Sequence, residues 1–198
     1  MVSLTINEAK TLEFLIRNFS KEFNINRLAK ELKLSPGGMF KILKKLAKYD
    51  FLIEKKLGNN SFYKINYDSE DSLDALKFVL TEKDATPYVK VWIKDLEVLK
   101  EKTKLAILFG SVLTKGKEAK DIDVLLVFEK ENIKEIEKQI DSINKIKSKK
   151  IHAIYQTSPD MASNISKGDP AILEEIRTGI ILWGRDYLIG AIKNGQNR

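Results

Sequence analysis

The sequence predicts an α+β chain of two domains, the second with an α/β arrangement, joined by a helical connector. Three observations lead to this fold class. The excess positive charge lies in the first third of the chain, a helical pattern gives way to a hairpin pattern within residues 1–67, and two short apolar runs within residues 104–198 indicate buried strands. Residues 68–103 carry helical signals and form the predicted connector.

The charge of the chain is unevenly distributed. Residues 1–67 hold 13 Lys/Arg and six Asp/Glu, whereas residues 68–198 hold 22 of each, so the net charge of +7 belongs to the first part. A basic domain beside a neutral one suggests a module that binds a polyanion. A solvated, lysine-rich surface is an equal alternative on charge alone.

Composition excludes several classes of site and location. The chain has no cysteine, which excludes disulfides and thiolate metal sites, and a single histidine, His152. No stretch approaches the ~20 apolar residues that span a bilayer, and the N-terminus lacks the basic and apolar regions of a secretory signal. We therefore expect a cytoplasmic protein that does not bind membranes.

The first domain reads as three helices followed by a hairpin. Asn7 is expected to cap a first helix, and a second runs near Ile25–Leu32. Ser35 and Pro36 begin a third helix that continues to about Lys48. The positions expected to face the core are Leu12, Leu15, Ile16 and Phe19 in the first helix, Leu28, Ala29 and Leu32 in the second, and Met39, Ile42, Leu43 and Leu46 in the third. Strands over Phe51–Leu57 and Ser61–Tyr67 flank a turn at residues 58–60.

This order resembles a winged helix-turn-helix domain. The resemblance rests on the segment LAKELKLS (residues 28–35), followed by Leu43, Leu46, Tyr49 and Leu52-Ile53, and it covers a third of the chain. Asp50 stands where the family usually has glycine before the wing strand. The resemblance implies that helix 36–48 enters the major groove of double-stranded DNA.

The DNA-binding residues follow from that placement. The third helix would present four lysines and the wing would add further polar side chains: Lys41, Lys44, Lys45 and Lys48, then Lys55, Lys56, Asn59, Asn60 and Lys64. Two alternatives stay open, namely a winged helix that contacts protein instead of nucleic acid, and RNA as the polyanion.

The connector carries two helical signals. One helix begins at Ser69–Ser72 and runs to about Thr81, and the other begins near Asp84–Pro87. The second helix has an apolar stripe of Tyr88, Trp92, Leu96 and Leu99. Core packing is the more common explanation of such a stripe. Pairing with a second copy, which would give a homodimer, is the alternative, since many DNA readers are two-fold symmetric.

The second domain places two acids beside a glycine-serine turn. Leu105–Phe109 is an apolar run that ends at Gly110-Ser111, and Asp121-Ile122-Asp123 leads into a second run, Val124–Phe128. Alternate strand residues share a face, so Asp121 and Asp123 project together. Paired carboxylates are costly without a cation, and oxygen ligands favour Mg²⁺ or Mn²⁺. The turn can offer N–H groups and a hydroxyl to phosphate, so these parts describe a site for a metal–nucleoside triphosphate.

These motifs resemble the minimal nucleotidyltransferases of the DNA polymerase β superfamily. LFGS (residues 108–111), nine residues and DIDV (121–124) carry the resemblance, supported by TGIILWGR (178–185), over residues 104–186. The resemblance implies that Gly110 and Ser111 bind the triphosphate and that Asp121 and Asp123 are catalytic metal ligands. It also implies a protein partner or acceptor, because such domains often act within toxin–antitoxin pairs.

One family residue is absent from the expected place. The third carboxylate normally lies on a later strand, here residues 150–155, which contain no acid; His152 is the polar residue there, and we expect it to be partly buried. The absence of the third carboxylate favours a non-catalytic transcription factor, with the second domain as a nucleotide sensor or dimerisation unit, over an active nucleotidyltransferase. A P-loop is rejected, because five residues separate Gly110 from Gly116 and Glu118 replaces Ser/Thr.

Two helices are expected to flank the strands of this domain. One spans about Lys130–Lys147 with a stripe of isoleucines, and the other starts at Asp169-Pro170 by the capping and first-position rules. The combined prediction is a DNA-binding regulator whose second domain binds a nucleotide with Mg²⁺ and transfers a nucleotidyl group to a hydroxyl if it is active.

Overall fold

The computed structural model describes residues 3–58, 60–81 and 85–196. The chain forms two compact units, an N-terminal unit up to Leu80 and a C-terminal unit from Thr81 onward. The predicted wing residue Asn59 lies outside the described residues.

The N-terminal unit begins with helices whose ends are set by side-chain caps. Its four helices are α1 (Ile6–Arg17), α2 (Ile25–Glu31), α3 (Pro36–Lys48) and α4 (Glu70–Val79). Ser35 accepts a hydrogen bond from the backbone N–H of Gly38 and Pro36 takes the first helical position, so α3 has the predicted bounds.

A small antiparallel sheet completes the N-terminal unit. Its strands are β1 (Phe23–Asn24), β2 (Leu52–Leu57) and β3 (Asn60–Ile65), in the order β1-β3-β2. Three helices followed by a paired hairpin confirm the predicted winged-helix arrangement. Asp50, at the position of the expected glycine, has a φ of 57°, a left-handed conformation that aspartate tolerates better than most residues.

Several local predictions in this unit are wrong. Thr5, not Asn7, caps α1, because Thr5 and Glu8 form a reciprocal capping box. Phe19 lies beyond the end of α1 and is half-buried, as is Ile42 in α3. Asn60 belongs to β3, opposite Leu57, rather than to the turn.

The C-terminal unit is built on a mixed sheet. Its strands are β4 (Leu105–Phe109), β5 (Ile122–Phe128), β6 (Ile151–Thr157) and β7 (Ile180–Trp183), in the order β6-β5-β4-β7. β4 is antiparallel to both β5 and β7, whereas β5 and β6 are parallel. The helices are α5 (Pro87–Leu96), α6 (Ser111–Lys115), α7 (Ile133–Ile146), α8 (Ser158–Lys167), α9 (Pro170–Thr178) and α10 (Arg185–Gln196).

Helices cover both faces of this sheet, as predicted. One face carries Val124 and Leu126, which pack in a buried cluster with Trp92 of α5 and with Ile136 and Ile140 of α7. Helices α8, α9 and α10 contact the strands, and their buried residues do not belong to that cluster, so they cover the opposite face. A buried hydrogen bond from Trp183 Nε1 to Thr103 Oγ1, 2.9 Å long, joins β7 to the chain entering β4.

The predicted connector of residues 68–103 is divided between the two units. Helix α4 packs against α1 in the N-terminal unit, whereas α5 and the 3₁₀ turn Glu97–Lys102 belong to the C-terminal unit. Trp92, Leu96 and Leu99 are buried in the core of that unit. Core packing therefore explains the apolar stripe, and this stripe is not free to pair with a second copy.

No helix in the described part of the chain has both the length and the apolar character needed to cross a bilayer.

Candidate functional sites

The two predicted acids lie at the start of β5. Asp121 is in the bend that directly precedes the strand, and Asp123 is the second residue of the strand. Both are half-buried, while Ile122 and Val124 are buried in the cluster under α5 and α7. The alternation along β5 directs the Asp123 carboxylate toward the face that α8, α9 and α10 cover.

Gly110 lies directly against the Asp123 carboxylate. Its φ of 77° and ψ of −155° form a conformation that is open essentially to glycine. A Cβ placed on Gly110 would lie 2.3 Å from Asp123 Oδ2, well inside van der Waals contact. The antiparallel pairing of Phe109 with Asp123 produces this approach. The structure thus brings together the glycine-serine turn and one of the two acids, as the spacing predicted.

His152 lies beside the same carboxylate. The parallel register of β5 and β6 sets His152 opposite Asp123, and Nδ1 is 3.2 Å from Oδ1 of the aspartate. The imidazole side chain is 70% exposed, so the expectation of a partly buried histidine is wrong. His152 is the second residue of β6.

Sequence analysis missed Glu175, a buried acid in the same region. This side chain projects from α9 and is 6% exposed, and its Oε2 has no hydrogen-bond partner among the described residues. Burial, together with the charges of Asp169 and Asp123, raises the pKa of Glu175 to about 7. A signal was present, since Glu175 falls between Ile172 and Ile176 on the buried stripe of α9.

The donor set fits a divalent cation that is shared with a ligand. Within residues 3–58, 60–81 and 85–196, no three His, Asp or Glu side chains are grouped closely enough to hold a metal by themselves. Nucleotide-bound Mg²⁺ commonly takes only one or two carboxylates, and phosphates and water complete its shell. The Asp123 carboxylate, which lies against the backbone of Gly110, fits the role of such an anchor, and Asp121 is the neighbouring carboxylate in sequence.

The lysines of α3 differ in how they are placed. Lys41, Lys44 and Lys48 are exposed, whereas Lys45 forms a 2.9 Å ion pair with Glu8, whose side chain is 5% exposed. Burial raises the pKa of Glu8, but hydrogen bonds from Lys45 and Thr5 outweigh burial, so the pKa lies below its usual value. Lys45 thus ties α3 to α1 and is the least available of the four for a phosphate.

Ion pairs also engage two other predicted DNA-binding lysines. Lys44 forms a 2.7 Å pair with Glu54, and Lys64 forms a 2.9 Å pair with Glu22. Lys41 and Lys48 have no ion pair within the described residues. They form the most accessible positive charge on the helix, beside the exposed aromatic side chains of Phe40 and Tyr49.

The predicted DNA-binding residues of the hairpin lie on two different faces. Lys55, Asn60 and Lys64 share one face of the β2–β3 pair because of the register, and Lys56 lies on the other. All four side chains are exposed. A ligand that approaches one face of the wing meets Lys55 and Lys64, but not Lys56.

Comparisons with known proteins give weak structural likeness. No family model and no curated protein matches the chain. Among solved structures, ZitR of Lactococcus lactis, a zinc-responsive MarR family member, is 23% identical with a TM-score of 0.30, over 50% of this chain and 76% of that chain. A variant of ZitR is 23% identical with a TM-score of 0.33, over 52% of this chain and 64% of that chain, just under two thirds of its length. Another variant, in complex with DNA, is 22% identical with a TM-score of 0.30, over 51% and 76%. These values do not assign the chain to a family.

Proposed function

We propose that this protein is a double-stranded DNA-binding regulator whose C-terminal unit binds a metal–nucleoside triphosphate. The observation that carries the nucleotide site is the contact between Gly110 and Asp123, in which a turn suited to phosphate meets a carboxylate suited to the metal. The DNA-binding part is supported by the exposed Lys41 and Lys48 on α3, within residues 1–67, where 13 Lys/Arg outnumber six Asp/Glu.

Each residue has a definite task in this proposal. Asp121 and Asp123 would hold the cation, which would neutralise the phosphates when bound. The turn at Gly110 and Ser111 would orient the triphosphate through backbone N–H groups and the serine hydroxyl. The resemblance to minimal nucleotidyltransferases adds a reaction, in which a hydroxyl on a protein or small molecule would attack the α-phosphorus of the triphosphate, pyrophosphate would leave, and the hydroxyl proton would pass to solvent.

Nucleotide binding is tested by equilibrium dialysis of labelled ATP with Mg²⁺. Asp123→Asn removes the anchoring charge without changing size, so we expect affinity to fall by at least about tenfold. Asp141→Asn, an exposed acid on α7, is the matched control and should bind like the unaltered protein. Equal binding by both variants would remove the proposed site.

DNA binding is tested by fluorescence anisotropy of duplex DNA over a salt series. Replacing Lys41 and Lys48 by alanine should weaken binding and reduce the salt slope by about 1.8, because each phosphate contact contributes about 0.9. Lys10 and Lys21, two exposed lysines of the same unit, form the matched control pair. An unchanged slope in the first variant would contradict docking through α3. Tighter binding to structured RNA than to duplex DNA would indicate that RNA is the ligand.

A non-catalytic nucleotide sensor is the second candidate function. The observation that favours it is His152, which lies opposite Asp123 on the strand where the resemblance would place a third carboxylate. Incubation with labelled ATP and Mg²⁺ distinguishes the two. Label that transfers to an acceptor and is lost in Asp123→Asn supports the enzyme, and bound but unreacted nucleotide supports the sensor.

A further inference from the structure

The pairing of Asp123 with His152 sets this site apart from one made of oxygen ligands alone. The two residues are 29 positions apart and meet only because β5 and β6 are parallel neighbours in this register. Nδ1 of the imidazole lies 3.2 Å from Oδ1, while Oδ2 of the same carboxylate faces Gly110. The Asp123 carboxylate therefore contacts both the glycine-serine turn and the imidazole nitrogen of His152.

Packing does not explain the position of the imidazole. Its side chain is 70% exposed, so burial contributes little to holding it there. Neutral imidazole nitrogen is the commonest side-chain ligand of metal ions in proteins. His152 is the single histidine of the chain, so any imidazole ligand for a metal ion must come from this residue.

Two further acids belong to this part of the C-terminal unit. Asp121 directly precedes the strand that carries Asp123. Glu175 on α9 is 6% exposed, and its Oε2 atom lacks a hydrogen-bond partner among the described residues.

We propose that Asp123 and His152 together bind a divalent transition-metal ion, such as Mn²⁺, Co²⁺ or Zn²⁺, in preference to Mg²⁺. Imidazole nitrogen suits these ions, whereas Mg²⁺ is bound almost wholly by oxygen. The inference rests on the proposed nucleotide site, because two protein donors are too few for a closed site and the triphosphate oxygens supply the others. The inference specifies which divalent metal ions the proposed nucleotide site prefers.

The test observes His152 directly in the unaltered protein. A full-length chain made without a histidine tag and labelled with ¹⁵N only at histidine gives the ring nitrogens of one residue. Titration with Zn²⁺·ATP should move one of these nitrogen resonances to the position of a metal-bound imidazole, and Mg²⁺·ATP should leave it close to that of the free protein. The adenine nitrogens are unlabelled and do not interfere.

Substitution of His152 adds an independent measurement. His152→Ala should weaken Zn²⁺·ATP binding about ten- to a hundredfold and should lower the ratio of Zn²⁺·ATP affinity to Mg²⁺·ATP affinity. His152→Asp supplies an oxygen donor instead and should reverse the preference toward Mg²⁺. The dialysis assay measures both affinities, and the circular dichroism of each variant shows whether it is folded.

The possible results separate this inference from the function on which it rests. If Zn²⁺·ATP binds, the Asp123→Asn variant loses it, and the ring nitrogens do not move, the transition-metal assignment is overturned and the nucleotide site stands. If neither Zn²⁺·ATP nor Mg²⁺·ATP binds the chain, both proposals are overturned. The spectrum is taken on the unaltered chain, so the outcome does not depend on a variant that folds.

Discussion

At the scale of single residues, Glu175 has an environment unlike that of an ordinary surface acid. It is 6% exposed, Oε2 has no hydrogen-bond partner among the described residues, and burial together with Asp169 and Asp123 raises its pKa to about 7. The folded chain therefore keeps this carboxyl protonated at pH values where the unfolded chain releases the proton. Folding stability consequently decreases as the pH rises through this interval.

We predict that Glu175→Gln reduces this pH dependence. Glutamine mimics the protonated carboxyl, so the two proteins should be similar in stability near pH 5, below the pKa of about 7. At about pH 8 the variant should be more stable by roughly 1–2 kcal/mol, because the original chain must then bury a charge. Urea unfolding at several pH values measures the difference. A stability difference that does not change with pH would show that Glu175 is not held protonated.

At the scale of secondary-structure elements, the ion pair between Lys45 and Glu8 ties α3 to α1. Glu8 also closes the capping box of α1 with Thr5, so one buried carboxylate serves both a helix end and a helix contact. Removing Lys45 would leave Glu8 charged and without its cationic partner. The same helix carries Lys41, which is exposed and has no ion pair within the described residues.

We predict that Lys45→Met destabilises the N-terminal unit, whereas Lys41→Met does not. The expected loss for Lys45 is about 1–3 kcal/mol, less than for a fully buried pair because Lys45 is partly exposed. Lys41→Met should change stability by less than about 0.5 kcal/mol and instead weaken binding to duplex DNA. Denaturant unfolding followed by circular dichroism measures the first effect, and anisotropy the second. Equal stability of the two variants would argue against the structural role of Lys45.

Local signals predicted much of the element order. The bounds of α3 and β4 follow from a cap with proline and from an apolar run that ends at glycine, both of which act within a few residues. Helix α8 was missed, although Thr157 and Asp160 form a capping box, because its buried residues are only Met161 and Ile165. A short helix with so few apolar positions has too little periodicity to identify it.

The site was predictable in part for the same reason. The predicted site residues lie within one hairpin-like unit of adjacent strands, so their spacing in sequence carries information about their geometry. These residues are Gly110, Ser111, Asp121 and Asp123. The contact of Asp123 with His152 depends on the direction and register of β6, which no local pattern specifies. Likewise, the pairing of Lys44 with Glu54 joins residues on different elements, and the helical pattern of lysines gave no sign of it.

At the scale of the whole molecule, the chain combines two compact units, for which we propose different ligands. The excess of basic charge lies in residues 1–67 of the N-terminal unit, and the acids of the candidate nucleotide site lie in the C-terminal unit. Both tryptophans, Trp92 and Trp183, belong to the C-terminal unit and are buried there. Tryptophan fluorescence therefore reports unfolding of that unit alone, whereas far-ultraviolet circular dichroism reports both.

We predict that the two ligands stabilise different units. A ligand that binds only the folded state adds about 2.7 kcal/mol at a hundredfold excess over its Kd. ATP with its metal should therefore raise the midpoint of the fluorescence transition, which reports the C-terminal unit. Duplex DNA should raise the midpoint of the circular dichroism transition that has no counterpart in fluorescence and so reports the N-terminal unit. Asp123→Asn should remove the first shift only, and the Lys41 and Lys48 double substitution the second only. If either ligand shifted both transitions equally, the units would be unfolding as one cooperative body, and binding at one site would then be coupled to the stability of the other.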